Sequence, residues 1–285
     1  MELIVRPVRT ADWPAVRRIS SRIWEGRDYV PLFFGEWVRE GGFWAGELRG
    51  RVVGYGKATE LAPGEWWLEG LRVDPQRRHR GIGTELSRQI LYRTFDERPV
   101  SLRLATGAVN RESIRIIEET MGFRFYVQYS FIAGTPAEAE ETPRPKLAVP
   151  SLREAQEFMQ TREELKASRG LLQSSWRFRA ANARYLRDLR RQGSLYGCRE
   201  AGRLTGLLVM TRHRYRRTDL DISFVGGTRP ALSAFGSYIR SVARELDTKT
   251  VSGMAASDEM TAAVRALGVM ARPRVSAVFV YDYPV

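Results

Sequence analysis

The segment from Leu68 to Leu86 constrains this chain more than any other. An apolar, strand-like run stops at Asp74-Pro75, passes through Arg77, Arg78, His79 and Arg80, and reopens as an amphipathic helix at Gly81-Ile82-Gly83. Leu86, Ile90 and Leu91 give that helix an inward stripe. A helix start exposes unpaired backbone N–H groups whose dipole favours negative charge. Gly81 and Gly83 allow close backbone approach and positive φ, and arginines 77, 78 and 80 surround the position with cations. The pattern is that of an anion site. It is not the dinucleotide fingerprint, which needs a third glycine where Leu86 stands. Nor is it a P-loop, since no Gly-Lys-Ser/Thr follows. What remains is Arg78-His79-Arg80-Gly81-Ile82-Gly83, an instance of Arg/Gln-x-x-Gly-x-Gly/Ala directly after a strand.

The 285 residues suit two domains of ordinary size. The segment 134–146, rich in proline, alanine and glutamate without apolar periodicity, reads as a linker between residues 1–133 and 147–285. Before it, the patterning predicts a strand at 3–8, a helix from Thr10 to about Glu25 and a helix over 35–40. Strands at 43–48, 51–60 and 66–73 follow, then a helix at 83–95, a strand at 100–106, a helix at 111–121 and a strand at 124–133. Antiparallel strands followed by one crossover make this an α+β, mixed α/β arrangement. No run is long and apolar enough for a membrane helix. The N-terminus shows no signal-peptide pattern, and the expected location is cytoplasmic. One cysteine, Cys198, and two histidines argue against a disulfide or a metal centre. The net charge of +13 comes mainly from arginine, with only Lys57, Lys146, Lys166 and Lys249 as lysines. Such a field attracts polyanions, but no aromatic–basic motif points to nucleic acid, and a multiply phosphorylated small molecule fits as well.

The second half repeats the first. Tyr196 to Gly206 mirrors Trp44 to Gly54 at an offset of 152 residues, with Gly202 on Gly50 and Gly206 on Gly54. Carried onward, the offset sets Val225 on Val73 and predicts a helix over 236–246. A strand at 250–254, a helix at 259–267 and a strand at 275–281 complete the plan. The same offset replaces Arg78, Gly81 and Gly83 with Pro230, Ser233 and Phe235, so the second copy is expected to lack the phosphate loop.

With Leu71-Arg72-Val73-Asp74-Pro75 before the hexapeptide, and Asn110 and Met121-Gly122-Phe123 beyond it, residues 3–133 resemble the GNAT superfamily of acetyl-CoA-dependent N-acetyltransferases. The resemblance implies two tandem GNAT-like domains, each a mixed, mostly antiparallel sheet flanked by helices, the second degenerate. It implies acetyl-CoA as co-substrate, without a metal, and direct transfer to the primary amine of a small molecule, such as a free amino acid. The alternative is a non-catalytic CoA sensor or scaffold. Backbone amides of Arg78, His79, Arg80, Gly81, Ile82, Gly83 and Thr84 would hold the pyrophosphate. Leu71, Arg72 and Val73 would pair with the pantetheine, and Asn110 and Ser113 match positions that touch the cofactor arm.

Glu69, just before the pantetheine strand, is the candidate general base. Simple alternation sets it on the face of Leu71 and Val73, where a carboxylate is awkward unless a bulge re-aims it. Many relatives place a proton-donating tyrosine where this chain has Ile117, and the helix there carries one residue more before its Gly-Phe end. Tyr126 and Tyr129 are the substitutes available from the last strand. The acceptor pocket is expected from Trp24, Asp28, Tyr29 and Trp37, with Asp28 or Glu69 meeting an ammonium and Arg72 or Arg27 a carboxylate. The Asp-Tyr-Val-Pro turn before Trp37 is similar to that of the histidine N-acetyltransferase-like proteins of vertebrates. The expected assembly is a monomer or homodimer, with neither nucleic acid nor membrane as partner.

Overall fold

The structure, a computed structural model, describes residues 3–77, 80–138 and 143–285. It divides into two units. Unit 1 holds Met1–Thr106, Asn110–Tyr126 and Tyr281–Val285; unit 2 holds Gly107–Val109 and Val127–Val280. Among the described residues no helix is long and apolar enough to cross a membrane.

The elements of the first half are β1 (Ile4–Pro7), α1 (Trp13–Ser20), α2 (Val30–Glu40), β2 (Phe43–Leu48), β3 (Arg51–Ala62), β4 (Glu65–Val73), α3 (Ile82–Asp96), β5 (Ser101–Gly107), α4 (Arg111–Arg115) and β6 (Arg124–Pro136). In unit 1 the strands run in the order β1-β2-β3-β4-β5, antiparallel except for the parallel pair β4–β5. Arg49 and Gly50 both have positive φ, as the tight β2–β3 hairpin requires. Ile82, Leu86 and Ile90 of α3 pack on Val53, Leu68, Leu71 and Val73 of the sheet.

Three local details differ from the sequence expectation. The first helix stops at Ser20 and cannot run on to Glu25, since Ile23 is extended and Trp24, Glu25 and Gly26 all adopt positive φ. The second helix starts at Val30 rather than at 35, with Pro31 in its first turn, where a missing N–H costs nothing. The helix expected over 111–121 is α4 followed by a π turn at Ile116–Thr120. A π turn inserts one residue into a helix, which accommodates the extra residue before Gly122-Phe123.

Unit 2 continues with α5 (Leu152–Gln160), α6 (Glu163–Ala167), β7 (Leu171–Ser174), β8 (Arg177–Ala180), α7 (Ala183–Arg191), β9 (Leu195–Glu200), β10 (Arg203–Arg212), β11 (Leu220–Gly227), α8 (Arg229–Glu245), β12 (Val251–Ala255), α9 (Asp258–Ala266) and β13 (Met270–Asp282). Its sheet contains the order β6-β12-β11-β10-β9, with β11–β12 parallel and the other pairs antiparallel. Phe235 and Ile239 of α8 and Val264 of α9 close its core over Ile222 and Val225. The run β9-β10-β11-α8-β12-α9-β13 repeats β2-β3-β4-α3-β5-α4-β6 in kind and order.

The fixed offset does not survive past β10. Gly54 pairs with Val73, but its counterpart Gly206 pairs with Gly227, so the third strand of the repeat is shifted by two residues. Only Thr228 separates β11 from α8, whereas residues 74–81 separate β4 from α3. Ser233 and Phe235 therefore lie inside α8, not in a loop, and Phe235 is fully buried. The second unit turns from strand to helix without the loop that carries the anion pattern in the first.

Candidate functional site

The site is built around an irregularity in β4. Glu69 pairs with Lys57 and Arg72 pairs with Tyr55, so Gly70 and Leu71 together face the single residue Gly56. This is a β-bulge, and Gly70 supports it with φ +66°. A bulge shifts the alternation of faces. Leu68, Leu71 and Val73 all join the α3-side core. Glu69 accepts a hydrogen bond from Thr59 Oγ1 at 2.6 Å, and Arg72 reaches Asp28 in the loop between α1 and α2. The carboxylate is not in the α3-side core.

Beside the bulge the sheet opens. Parallel pairing of β4 with β5 covers only Glu65 to Leu68 against Ser101 to Leu104 and stops there. The β5-facing edge of Leu71, Arg72 and Val73 lies beyond the end of that ladder. Asp74 then turns the chain outward: its carboxylate accepts from Gln76 N at 3.1 Å and meets Arg22 and Arg18 at 3.5 and 3.7 Å. Gly81 caps α3 in the left-handed region at φ +72° and offers no side chain to the first turn. A Cβ built on Gly81 meets nothing within 4 Å among the described residues. A helix start capped by a glycine and a strand edge beyond the end of the β4–β5 ladder together fit a long ligand with a phosphorylated end. Arg80 is exposed beside this turn; Arg78 and His79 lie outside the described residues.

Three of the four residues expected at the acceptor side, Trp24, Asp28 and Tyr29, come together around Arg72, and the fourth, Trp37, packs on Tyr29. Arg72 Nε and Nη2 donate to Asp28 Oδ1 at 3.2 and 2.8 Å, and Nη1 donates to Leu71 O at 2.9 Å. Tyr55 Oη donates to Asp28 Oδ2 at 3.3 Å and lies 2.6 Å from Ser20 Oγ. The guanidinium sits 4.5 Å from the Trp24 ring and 5.4 Å from that of Tyr29. Burial works against the Arg72 charge, but Tyr29, Asp28 and Tyr55 outweigh it and raise its pKa. Burial likewise pushes the Tyr55 phenol up. Asp28 is thus spent on Arg72 instead of standing open to a ligand ammonium. Trp37 is fully buried and packs against Gly70 and the rings of Phe33, Phe43 and Tyr29. It shapes the floor; Trp24, well exposed, is the ring a ligand can reach. Arg27 is exposed and pairs with Glu25.

The remaining candidates separate. Asn110 caps α4, its Oδ1 accepting from Ser113 N at 3.3 Å. Tyr126 lies under Arg103 at 5.5 Å within unit 1. Tyr129 belongs to unit 2, is 2% exposed, stacks on Phe178 and donates to the carbonyls of Ser168 and Leu171. Ile117 is buried. The pattern missed Ser20, Tyr55 and Thr59, because small polar or aromatic residues inside a strand or helix carry no motif. Only their partners, many residues away, reveal them.

Residues 11–123 match the model of the acetyltransferase (GNAT) family. A GCN5-related N-acetyltransferase from Sphaerobacter thermophilus has a similar structure, at 16% identity and a TM-score of 0.63, over 99% of this chain and 95% of that one. A tandem GNAT protein from the clavulanic acid biosynthesis pathway aligns over 100% of both chains at 16% identity and a TM-score of 0.58. A GCN5-related N-acetyltransferase from Kribbella flavida aligns over 98% of this chain and 70% of that one, at 16% identity and a TM-score of 0.51. No curated protein matches in sequence. At such identities the structural likeness speaks for the fold, which is that of two tandem GNAT-like domains. The family model speaks for the first half of the chain: residues 11–123 carry an acetyltransferase (GNAT) domain. Enzymes of this family use acetyl-CoA as acetyl donor.

Proposed function

We propose that unit 1 moves the acetyl group of acetyl-CoA directly to the primary amine of a small molecule, with free amino acids among the acceptors. Acetyl-CoA, when bound, supplies an activated acetyl thioester. The backbone from Arg78 to Thr84 holds its diphosphate, and the β4 edge at Leu71, Arg72 and Val73 aligns the arm. Backbone N–H groups of that edge polarise the acetyl carbonyl. Glu69 takes a proton from the incoming ammonium so that a neutral amine attacks. Asn110 and Ser113 line the arm from α4, and Tyr126 is the tyrosine available to protonate the departing sulfur. Tyr129 has no part, since its hydroxyl is committed to unit 2.

For the acceptor, Trp24 and Tyr29 offer rings beside Arg72. Arg72 has five N–H donors, of which its contacts to Asp28 and Leu71 use three. The others suit a carboxylate, as an amino acid would present. The observation that carries this reading is the Gly70 bulge, which takes Glu69 off the α3-side core while leaving Leu71 and Val73 beside the opening of the sheet.

The test is incubation of the purified chain with acetyl-CoA and a panel of amino acids and small amines, read by mass spectrometry. Calorimetry with CoA runs in parallel. The expected result is an acetylated amine and CoA binding. Binding without acetylation of any amine would favour a CoA sensor, and no binding at millimolar CoA would discard both.

A further inference from the structure

We infer that Thr59 is the positioning residue of the acetyl-transfer site, its hydroxyl holding the Glu69 carboxylate in the orientation that receives the amine proton. This deepens the function proposed above and rests on Glu69 acting as base.

The geometry is specific. Thr59 lies on β3, is 6% exposed, and donates from Oγ1 to Glu69 Oε1 at 2.6 Å. The register sets Trp67 opposite Thr59 and Lys57 opposite Glu69, so the bond runs diagonally across one face of the β3–β4 ladder. A buried hydroxyl must find an acceptor. An O–H donated to an ionised carboxylate is short and about twice as strong as a neutral bond. Lys57 turns its ammonium toward the carbonyl of Gly41 at 2.7 Å and the carboxylate of Glu40 at 3.5 Å, both at the end of α2, and toward the carbonyl of its neighbour Ala58 at 3.2 Å.

Glu69 needs such a tether because its neighbour is the bulge. With Gly70 at φ +66°, the chain on the C-terminal side of Glu69 leaves regular strand geometry. The regular ladder of β3 supplies Thr59, so the rigid strand fixes the carboxylate of the irregular one. A general base works only within hydrogen-bond reach of its proton, and a displacement of about 1 Å costs on the order of 100-fold in rate.

Two substitutions separate the hydroxyl from its shape, and Glu69→Gln tests the base. Thr59→Val keeps the branched volume and removes the donor, whereas Thr59→Ser keeps the donor and removes a methyl. Turnover is read as free thiol released from acetyl-CoA with the amine that scores in the panel, and folding and CoA affinity are checked by thermal melt and calorimetry. Glu69→Gln is expected to lower kcat by about 100-fold or more. Thr59→Val is expected to lower kcat by roughly tenfold with the KM for acetyl-CoA unchanged within about twofold, as for a misdirected base. Thr59→Ser restores most of the turnover, and Thr59→Val adds nothing on top of Glu69→Gln. Wild-type turnover in Thr59→Val beside an impaired Glu69→Gln overturns the positioning role and leaves the proposed function standing. Equal losses in the Val and Ser variants make Thr59 a packing residue and also overturn it. Full activity in Glu69→Gln, or no amine acetylated at all, removes the base itself and this inference with it.

Discussion

Gly70 and Trp37 occupy space that no larger pair can share: a Cβ built on Gly70 lies 2.7 Å from Trp37 Cη2 and 2.8 Å from Cζ3. The glycine is needed twice, for its positive φ and for the indole pressed against it. Because this bulge decides which way Glu69 and Arg72 point, one packing contact between α2 and β4 is linked to the orientation of both side chains.

Gly70→Ala is therefore expected to destabilise the protein by about 2–4 kcal/mol, combining overpacking with a strained backbone. Urea unfolding measures this, and Gly70→Ala with Trp37→Phe should recover part of the loss.

Asp28 balances the Arg72 charge from a side chain with no exposed surface. Removing one partner of a buried ion pair leaves the other uncompensated, so Asp28→Ala should cost roughly 3–5 kcal/mol. Thermal and urea unfolding report it, and a variant as stable as the wild type would show that Arg72 finds water instead.

A Cβ on Gly81 meets no atom of the described residues within 4 Å. Gly81→Ala carries a strain of only about 1–2 kcal/mol for its left-handed backbone, yet adds a methyl group at the turn proposed to hold the diphosphate. CoA affinity should fall at least about tenfold, a loss of about 1.4 kcal/mol, with the fold retained. Calorimetry on the wild type should give one CoA per chain, since β11 turns into α8 through Thr228 alone.

Glu154 is held down at about 2 by the Arg199 guanidinium and by the backbone and hydroxyl of Ser151 in a capping box. Its folded value lies below the ordinary 4.5, so the stabilisation it lends is present above that value and is lost as pH falls toward about 2. Acid melts of the wild type should lose stability through that window more steeply than melts of Glu154→Gln. The pair is surface-exposed, so high salt should narrow the difference.

The last five residues belong to unit 1. Tyr281 Oη donates to Glu118 Oε1 at 2.8 Å, Asp282 pairs with Arg103 at 2.9 Å, and the Tyr283 ring lies 4.9 Å from Phe95 and 5.3 Å from Phe123. Truncation after Val280 should lower the melting temperature and CoA affinity together, whereas a tail without structural weight would change neither.

The sequence by itself determined what local chemistry can encode. The turn from Asp74 to Gly83 is written in residues whose backbone preferences act over a few positions, and so are the hairpin at Arg49-Gly50 and the shared order of elements in the two halves. Each is legible because glycine, proline and apolar periodicity constrain the chain where they stand. Tertiary structure alone decided the rest. The bulge depends on Trp37 packing on Gly70, the pairing of Asp28 with Arg72 spans 44 residues, and the bond from Thr59 to Glu69 crosses two strands. It decided as well that the repeat slips by two residues at β11 and loses its loop, and that Tyr281 to Val285 count with unit 1. Register and burial are set by partners distant in sequence, and no single segment contains the information to choose among them.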